Sequence, residues 1–269
     1  MLQFDSIKHD DLARMVVSFR NTHAVLFSNY YGINEDYDYE VFVLNNVFMI
    51  RRKEFHFYRL FFLASNIFEL QESLTKLNGC EYVINIPTRD PIVDLIDVMK
   101  GSGFELIGEY HRFYNKSISF AYNRLTALTE GMTFDDRYDI AVWAEEKDVQ
   151  PIMMLLREGF SLYTDHLPDE QEITLKVLSH HVIVNRFEDK VTGVQIFTPT
   201  KHVCYGNVWI DKNGLGVFLS KAVFRYLLDN GIGTLNYWVK STNKKVIKYH
   251  KMNGAVEDGL IDYSFLKNK

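Results

Sequence analysis

The sequence has little cysteine, no surplus of basic charge and no long apolar run, and each shortage excludes something. Cys80 and Cys204 are the two cysteines in 269 residues. Two are too few for a disulfide framework or a zinc cluster, and both fall in segments that read as strands, where buried free thiols of a reducing compartment are expected. A net charge of −5, from 30 Lys and Arg against 35 Asp and Glu, lacks the basic excess that a nucleic-acid partner demands. The most apolar stretch, Phe55 to Ala64, is interrupted by His56 and Arg59 and has about half the length of a membrane span. Met1-Leu2-Gln3-Phe4-Asp5-Ser6 has no basic segment leading into an apolar one, so no signal peptide is expected. The expectation is a cytoplasmic protein with neither a nucleic-acid nor a membrane partner and no metal.

What is present is the composition of a globular protein: 47% hydrophobic and 24% charged residues, enough to bury real cores and incompatible with disorder, collagen or coiled coil. Its 20 Phe, 16 Tyr and 3 Trp read first as core and pocket lining. The length fits roughly two domains at about 150 residues each.

Patterning repeats across the two halves. In the second, Tyr138–Ala144 reads as a strand, Glu145–Phe160 and Asp169–Ser179 as helices, and His181–Phe187, Val191–Thr198 and His202–Ile210 as three short strands. The loop Lys212-Asn213-Gly214-Leu215-Gly216 opens a helix from Val217 to Asp229, which Asn230-Gly231 ends. A strand (Thr234–Lys240), a basic helix (Asn243–Met252), Gly254 and a strand pair across Ala255–Leu266 follow. The first half gives a weaker copy: a helix at Asp10–Arg20, and a meander Glu40–Leu44, Val47–Arg52, Phe55–Ala64 turning at Asn45-Asn46 and Lys53-Glu54. Next come a helix at Ile67–Leu77, a strand at Glu81–Pro87, a helix at Pro91–Lys100 capped by Asp90, and a strand at Phe104–Tyr114. Superposing Gly103 on Gly254 aligns strand, helix, glycine and strand in both halves, so one domain-sized repeat is expected. The polar, aperiodic stretch Ala121–Asp136 reads as the boundary, giving domains 1–125 and 136–269.

The chemistry concentrates at Val208–Leu228. A strand running through a two-glycine loop directly into a helix can turn successive amides, and the positive end of the helix dipole, toward one phosphate. By itself Gly-x-Gly is weak, and a tight turn before a helix is the plain alternative. It is no Walker loop, because no Gly-Lys-Ser/Thr follows. Lys240, Lys244, Lys245, Lys248 and Lys251 crowd the next helix, either as a solvated basic face or as attraction for phosphates. His180-His181 begins a strand, where neighbours point to opposite faces, and is a poor metal site.

This order of elements resembles the GNAT N-acetyltransferase superfamily over about 130 residues, Tyr138 to Leu266, and Asn243, His250 and Gly254-Ala255 fall where that family places Asn, Tyr and Gly-Phe. The resemblance implies an α/β fold of mixed α+β character, two GNAT-like domains each with a twisted mixed sheet flanked by helices, the first degenerate and non-catalytic. It implies acetyl-CoA bound through Val208, Trp209, Ile210, Lys212, Asn213, Gly214, Leu215, Gly216 and Val217, with Asn243 and Lys245 nearby. It implies acyl transfer to a primary amine by direct attack in a ternary complex, with His250 in the place of the general-acid tyrosine and Tyr249 beside it. Glu158, Tyr163, Asp165 and His166 fall where acceptor-binding segments run. On helical geometry His250 shares a face with Asn243 and Gly254, and Tyr249 points about 100° away. Departures are Asp211, in the place of a loop-leading Gln or Arg, where it would repel a pyrophosphate, and His250 itself. In the first half, Leu63–Ile67 has no glycine and Met99 holds the place of His250. Two other readings stand beside this one: an aminoacyl transferase using charged tRNA, disfavoured by the net charge, and a non-catalytic module that binds CoA or another small ligand.

Overall fold

The computed structural model describes residues 2–32, 34–35 and 37–269. The chain divides into two units, residues 1–109 with 260–269, and residues 110–259.

The first unit begins with β1 (Asp5–Ile7), helix α1 (His9–Thr22) and the short β2 (Phe27–Ser28). An antiparallel meander follows: β3 (Tyr39–Leu44), β4 (Val47–Glu54) and β5 (Phe57–Ala64), with β1 on the outer edge of β3. Helix α2 (Ile67–Thr75), capped by the Asn66 side chain, crosses over to β6 (Tyr82–Thr88), parallel to β5. Helix α3 (Val93–Gly101) and β7 (Glu105–Asn115) come next. Along β5 the side chains alternate: Phe61 and Leu63 pack with Leu12, Val16 and Phe19 of α1, whereas Leu60, Phe62 and Ala64 pack with α2 and α3. That two-sided burial is why the longest apolar run is a strand. Two local expectations fail here. The β4–β5 turn is at Phe55-His56, with Phe55 at φ +47°, because Glu54 pairs with Phe57 and its carboxylate gathers Arg52 and Arg59. Asp90 does not cap α3: it is held in the preceding turn, its N–H on Thr88 Oγ1, and the helix starts after Ile92.

The second unit contains helix α4 (Ile118–Thr129), β8 (Tyr138–Trp143), helices α5 (Val149–Gly159) and α6 (Glu170–Leu178), β9 (Val182–Phe187), β10 (Lys190–Pro199) and β11 (Val203–Asp211). Then come α7 (Gly216–Asp229), β12 (Thr234–Lys240), α8 (Lys244–Met252) and β13 (Val256–Lys267). β8 to β11 are antiparallel in sequence order, and β12 runs parallel to β11. Helices α5 and α6 bury their apolar sides on one face of this sheet, and α4, α7 and α8 on the other. Each unit is thus a mixed sheet flanked by helices, as the α/β reading expects.

The boundary differs from the expected one for two reasons. The stretch read as a linker is largely α4, whose buried Ile118, Ala121, Leu125 and Thr129 recur every three or four residues, a stripe that the intervening polar residues mask. The closing strands also go elsewhere: Tyr110–Asn115 of β7 pairs antiparallel with β12, and Ile261–Lys267 of β13 pairs antiparallel with β6. β13 is one continuous strand, not the expected pair. The internal repeat survives in the backbone, where Gly103 and Gly254 stand at φ +83° and +86° ahead of β7 and β13.

Candidate functional site

The segment Val208–Val217 is shaped by a change of strand pairing. β11 and β12 pair from Val203↔Thr234 to Gly206↔Tyr237, and there the pairing stops although the strands run on to Asp211 and Lys240. Asn207 is one extra residue against β10, between the pairs Phe197↔Gly206 and Ile196↔Val208. Such a bulge bends its strand. Beyond it, the β11 edge through Val208, Trp209 and Ile210 borders an opening, and backbone polar groups on an open edge need partners.

The strand then enters the glycine loop. Gly214 stands at φ +76° with open space around its Cα, the conformation that calls for glycine. The second glycine has a different cause: a Cβ on Gly216 would come within 2.8 Å of Trp209 Cζ2, so Gly216 is small to seat an indole. Helix α7 begins at Gly216, and its first turn offers unsatisfied amides. One loop amide is already taken, since Leu215 N donates to Asp211 Oδ2 at 2.6 Å. Lys212, the expected cation for phosphate, forms an exposed ion pair with Glu158, an expected acceptor-binding residue.

On the α7–α8 face of the opening lies an aromatic cluster. Tyr249 stacks on Trp209 with ring centroids 5.1 Å apart, and His250 lies 4.1 Å from Tyr237 and 5.8 Å from Trp209. Both α8 rings reach Trp209, because a ring as broad as indole spans the arc between adjacent helical positions. Burial among these rings pushes His250 down to about 3, from an ordinary 6.5. That burial favours the neutral imidazole, which has no imidazolium proton to give as a general acid. Burial raises the Tyr249 phenol, with Ser220 of α7 pulling weakly the other way, and the hydroxyl lies toward the core near Ser220 without a well-formed hydrogen bond. Trp209 Nε1 is buried and, among the described residues, has no hydrogen-bond partner. Asn243 spends its side chain on capping α8, accepting from Val246 N at 3.2 Å, and Lys245 is exposed in the first turn.

On the other face, Val208 is buried in the α5–α6 core, and Ile210 packs so closely on Gly159 that a Cβ there would meet its Cδ1 at 2.2 Å. The loop after α5 carries Tyr163, Asp165 and His166, the last at φ +45°. Asp165 is spent internally, its Oδ2 accepting from Ser161 N at 2.8 Å. The loop is tied to β7 by Tyr110, whose hydroxyl meets Thr164 Oγ1 at 2.8 Å and donates to Asp165 Oδ1 at 3.0 Å. Tyr110 pairs with Lys240 at the far end of β12. Sequence reasoning missed Tyr110 because it assigned β7 to the first domain.

The first unit has the same parting of parallel strands, with β5 and β6 paired only at Tyr58↔Tyr82 and Arg59↔Val83. Here the chain fills its own opening. Phe27 and Ser28 pair with Ala64 and Leu63 on the exposed edge of β5. Asn29 bridges the two arms: Nδ2 donates to Leu60 O at 3.0 Å and to Asn85 O at 2.9 Å, and Oδ1 accepts from Phe62 N at 2.7 Å. Asn66 occupies the start of α2 in place of a glycine loop, and Met99 is fully buried.

No protein-family model and no curated protein matches the sequence. Solved structures do match in fold. A tandem GNAT protein from the clavulanic acid biosynthesis pathway superposes with a TM-score of 0.56 at 10% identity, over 99% of this chain and 98% of its own. A GCN5-related N-acetyltransferase from Sphaerobacter thermophilus gives 0.56 at 8% identity, over 99% and 95%. A Drosophila protein gives 0.55 at 10% identity, over 100% and 99%. At such identities the likeness is one of fold: over nearly its whole two-unit length the chain folds like these GNAT proteins.

Proposed function

We propose that residues 110–259 bind an acyl-CoA, acetyl-CoA in the first instance, in the opening between β11 and β12 and transfer its acyl group to a small-molecule primary amine. The observation that carries this reading is the parting of β11 from β12 at the Asn207 bulge, immediately ahead of a glycine loop and a helix N-terminus. An open strand edge suits the amides of a pantetheine arm, and helix amides suit its phosphates. The orphaned Trp209 Nε1 beside that edge fits a carbonyl-bearing ligand. Asp211 is the one member of the site that opposes the fit.

The bound coenzyme supplies a thioester, and the chain's residues do the rest. Backbone N–H groups along Val208–Ile210 would donate to the carbonyl oxygen as charge grows on it during attack by the amine. Trp209, Tyr237, Tyr249 and His250 exclude water from one face. The Tyr110-anchored loop with Tyr163 and His166 borders the other, where the amine enters. With His250 neutral, the amine proton leaves to water and the departing thiolate is protonated from solvent. Burial pushes the Cys204 thiol up to about 12, which supports attack in a ternary complex over an acyl-cysteine. The first unit, its opening filled by its own chain, serves as a non-catalytic companion.

A second reading, a module that binds CoA without turning it over, is favoured by the neutral His250 and by Asp211. Isothermal titration of the full chain with acetyl-CoA, followed by thiol release against a panel of primary amines, separates the two. Binding with release supports the transferase, and binding without release supports the module. Failure to bind at millimolar acetyl-CoA overturns both.

A further inference from the structure

Asp211 ends β11, and the residues around it are arranged to hold a carboxylate. Its Oδ2 accepts the Leu215 N–H at 2.6 Å and its Oδ1 accepts Asn185 Nδ2 at 3.1 Å. Asn185, fully buried on β9, also directs Nδ2 to the Leu215 carbonyl at 3.3 Å, while its Oδ1 takes the Ala141 N–H at 2.8 Å. Leu215 is therefore held through both of its backbone polar groups, its N–H by Asp211 and its C=O by Asn185. Directly across the ladder from Asp211 is Gly193, where a Cβ would come within 2.6 Å of Asp211 Oδ1. A carboxylate is thus seated by a buried amide, a loop N–H and a glycine that makes room. The adjacent cation, Lys212, is turned to Glu158.

We propose that Asp211 is a built-in competitor for the phosphate end of the ligand, setting the affinity of the loop for diphosphate-bearing thioesters. This rests on the reading of the loop as a diphosphate seat given above. A diphosphate arriving at α7 finds one amide occupied and a fixed negative charge beside the others. It must displace Asp211 from Leu215 or bind through the remaining donors against like-charge repulsion, which is far stronger at a partly desolvated loop than in bulk water. Neither course affects the pantetheine arm, whose partners lie along β11. The discrimination therefore falls on the phosphate end alone.

The test compares wild type with Asp211→Asn, which is isosteric, keeps an oxygen for the Leu215 N–H and removes the charge. Titration calorimetry on the full chain uses two probes, coenzyme A and pantetheine, which lacks the phosphates. Asp211→Asn is expected to bind coenzyme A at least tenfold more tightly than wild type at low salt, with the gain shrinking as salt rises and pantetheine affinity unchanged. Asp211→Gln is measured in parallel, so that a folding defect in one variant, detected by its melting curve, leaves the other to decide. Equal or weaker coenzyme A binding by the folded variants, with wild-type binding intact, overturns the proposal and makes Asp211 a shaping residue of the loop. If neither wild type nor variants bind coenzyme A, the assignment of the opening fails and the proposal falls with it, an outcome distinguishable because wild type itself is then silent.

Discussion

Replacing Asn29 by alanine tests whether the first unit's opening is held shut by its own chain. Asn29 is 3% exposed and makes three side-chain hydrogen bonds, to Leu60 O, Asn85 O and Phe62 N. Truncation leaves two carbonyls and one N–H in a site that water enters poorly. Each stranded group costs about 1–3 kcal/mol, with carbonyls at the low end because of their second lone pair, so the total is about 3–5 kcal/mol. For chains of this size about 1 kcal/mol corresponds to roughly 2–4 °C, which puts the expected fall in the first unit's melting temperature at about 6–20 °C. Differential scanning calorimetry reads it directly. Asn29→Asp sharpens the test: it keeps an acceptor for Phe62 N but sets a negative oxygen against two carbonyls. It should be worse than alanine at pH 7 and recover toward it as the carboxyl is protonated at low pH. A loss below about 3 °C for Asn29→Ala would refute the reasoning, since three buried bonds then carry almost no net stability. Neither variant should create a second coenzyme site, because Leu63–Ile67 still has no glycine loop, and titration should show one coenzyme A per chain.

Asp262 on β13 has a buried Oδ1 with no hydrogen-bond partner among the described residues, and burial raises its carboxyl to about 6, against an ordinary 3.8. A raised carboxyl pKa penalises the ionised folded form, so stability falls as pH rises from about 4 to 6; Asp262→Asn should raise stability at pH 7.5 by at most about 3 kcal/mol and change little at pH 4, measured by urea unfolding at both. Thiol labelling should show one accessible cysteine per native chain, Cys80, because Cys204 is fully buried; rapid labelling of both would refute the packing. His250→Phe should preserve coenzyme A binding and leave the turnover rate within about threefold of wild type, whereas loss of about 10²-fold or more would restore a proton-transfer role.

How much of this was legible in the sequence follows from where the forces are local. Strand Thr234–Lys240 was readable to the residue, and Gly254 at positive φ follows from a residue type that suits a helix end, whereas Asn243, read as part of the helix and a coenzyme contact, proves to be its cap. α4 was missed because its apolar stripe is sparse and its capping weak: Ser117 makes no side-chain cap. The destinations of β7 and β13 could not be read at all. A strand's sequence specifies which face is apolar but carries no label for its neighbour, and Phe113 and Phe265 are equally buried in different units. Asp211 was visible as an oddity, yet its partners Asn185 and Gly193 lie on other strands, and only the fold shows that the carboxylate has a seat.

The two units also show why an opening between parallel strands is a poor guide to activity on its own. In each, the strands before and after a crossover helix pair briefly and part, which leaves polar backbone groups on one edge and creates a demand for partners. The first unit meets that demand with Phe27–Asn29, groups of its own chain held by side-chain and ladder hydrogen bonds. In the second, β12 does not pair with β11 at Val208–Ile210, and beside that edge the buried indole N–H of Trp209 has no hydrogen-bond partner among the described residues. A buried orphan donor is costly, so it persists where a ligand completes it or where function holds the strain. The two units differ in whether that edge is filled by the chain itself, a difference that the count of glycines in the loop does not show. Beside that edge the rings of Trp209, Tyr237, Tyr249 and His250 pack together, and hydrogen bonds made against such a water-poor surface are stronger than in bulk water.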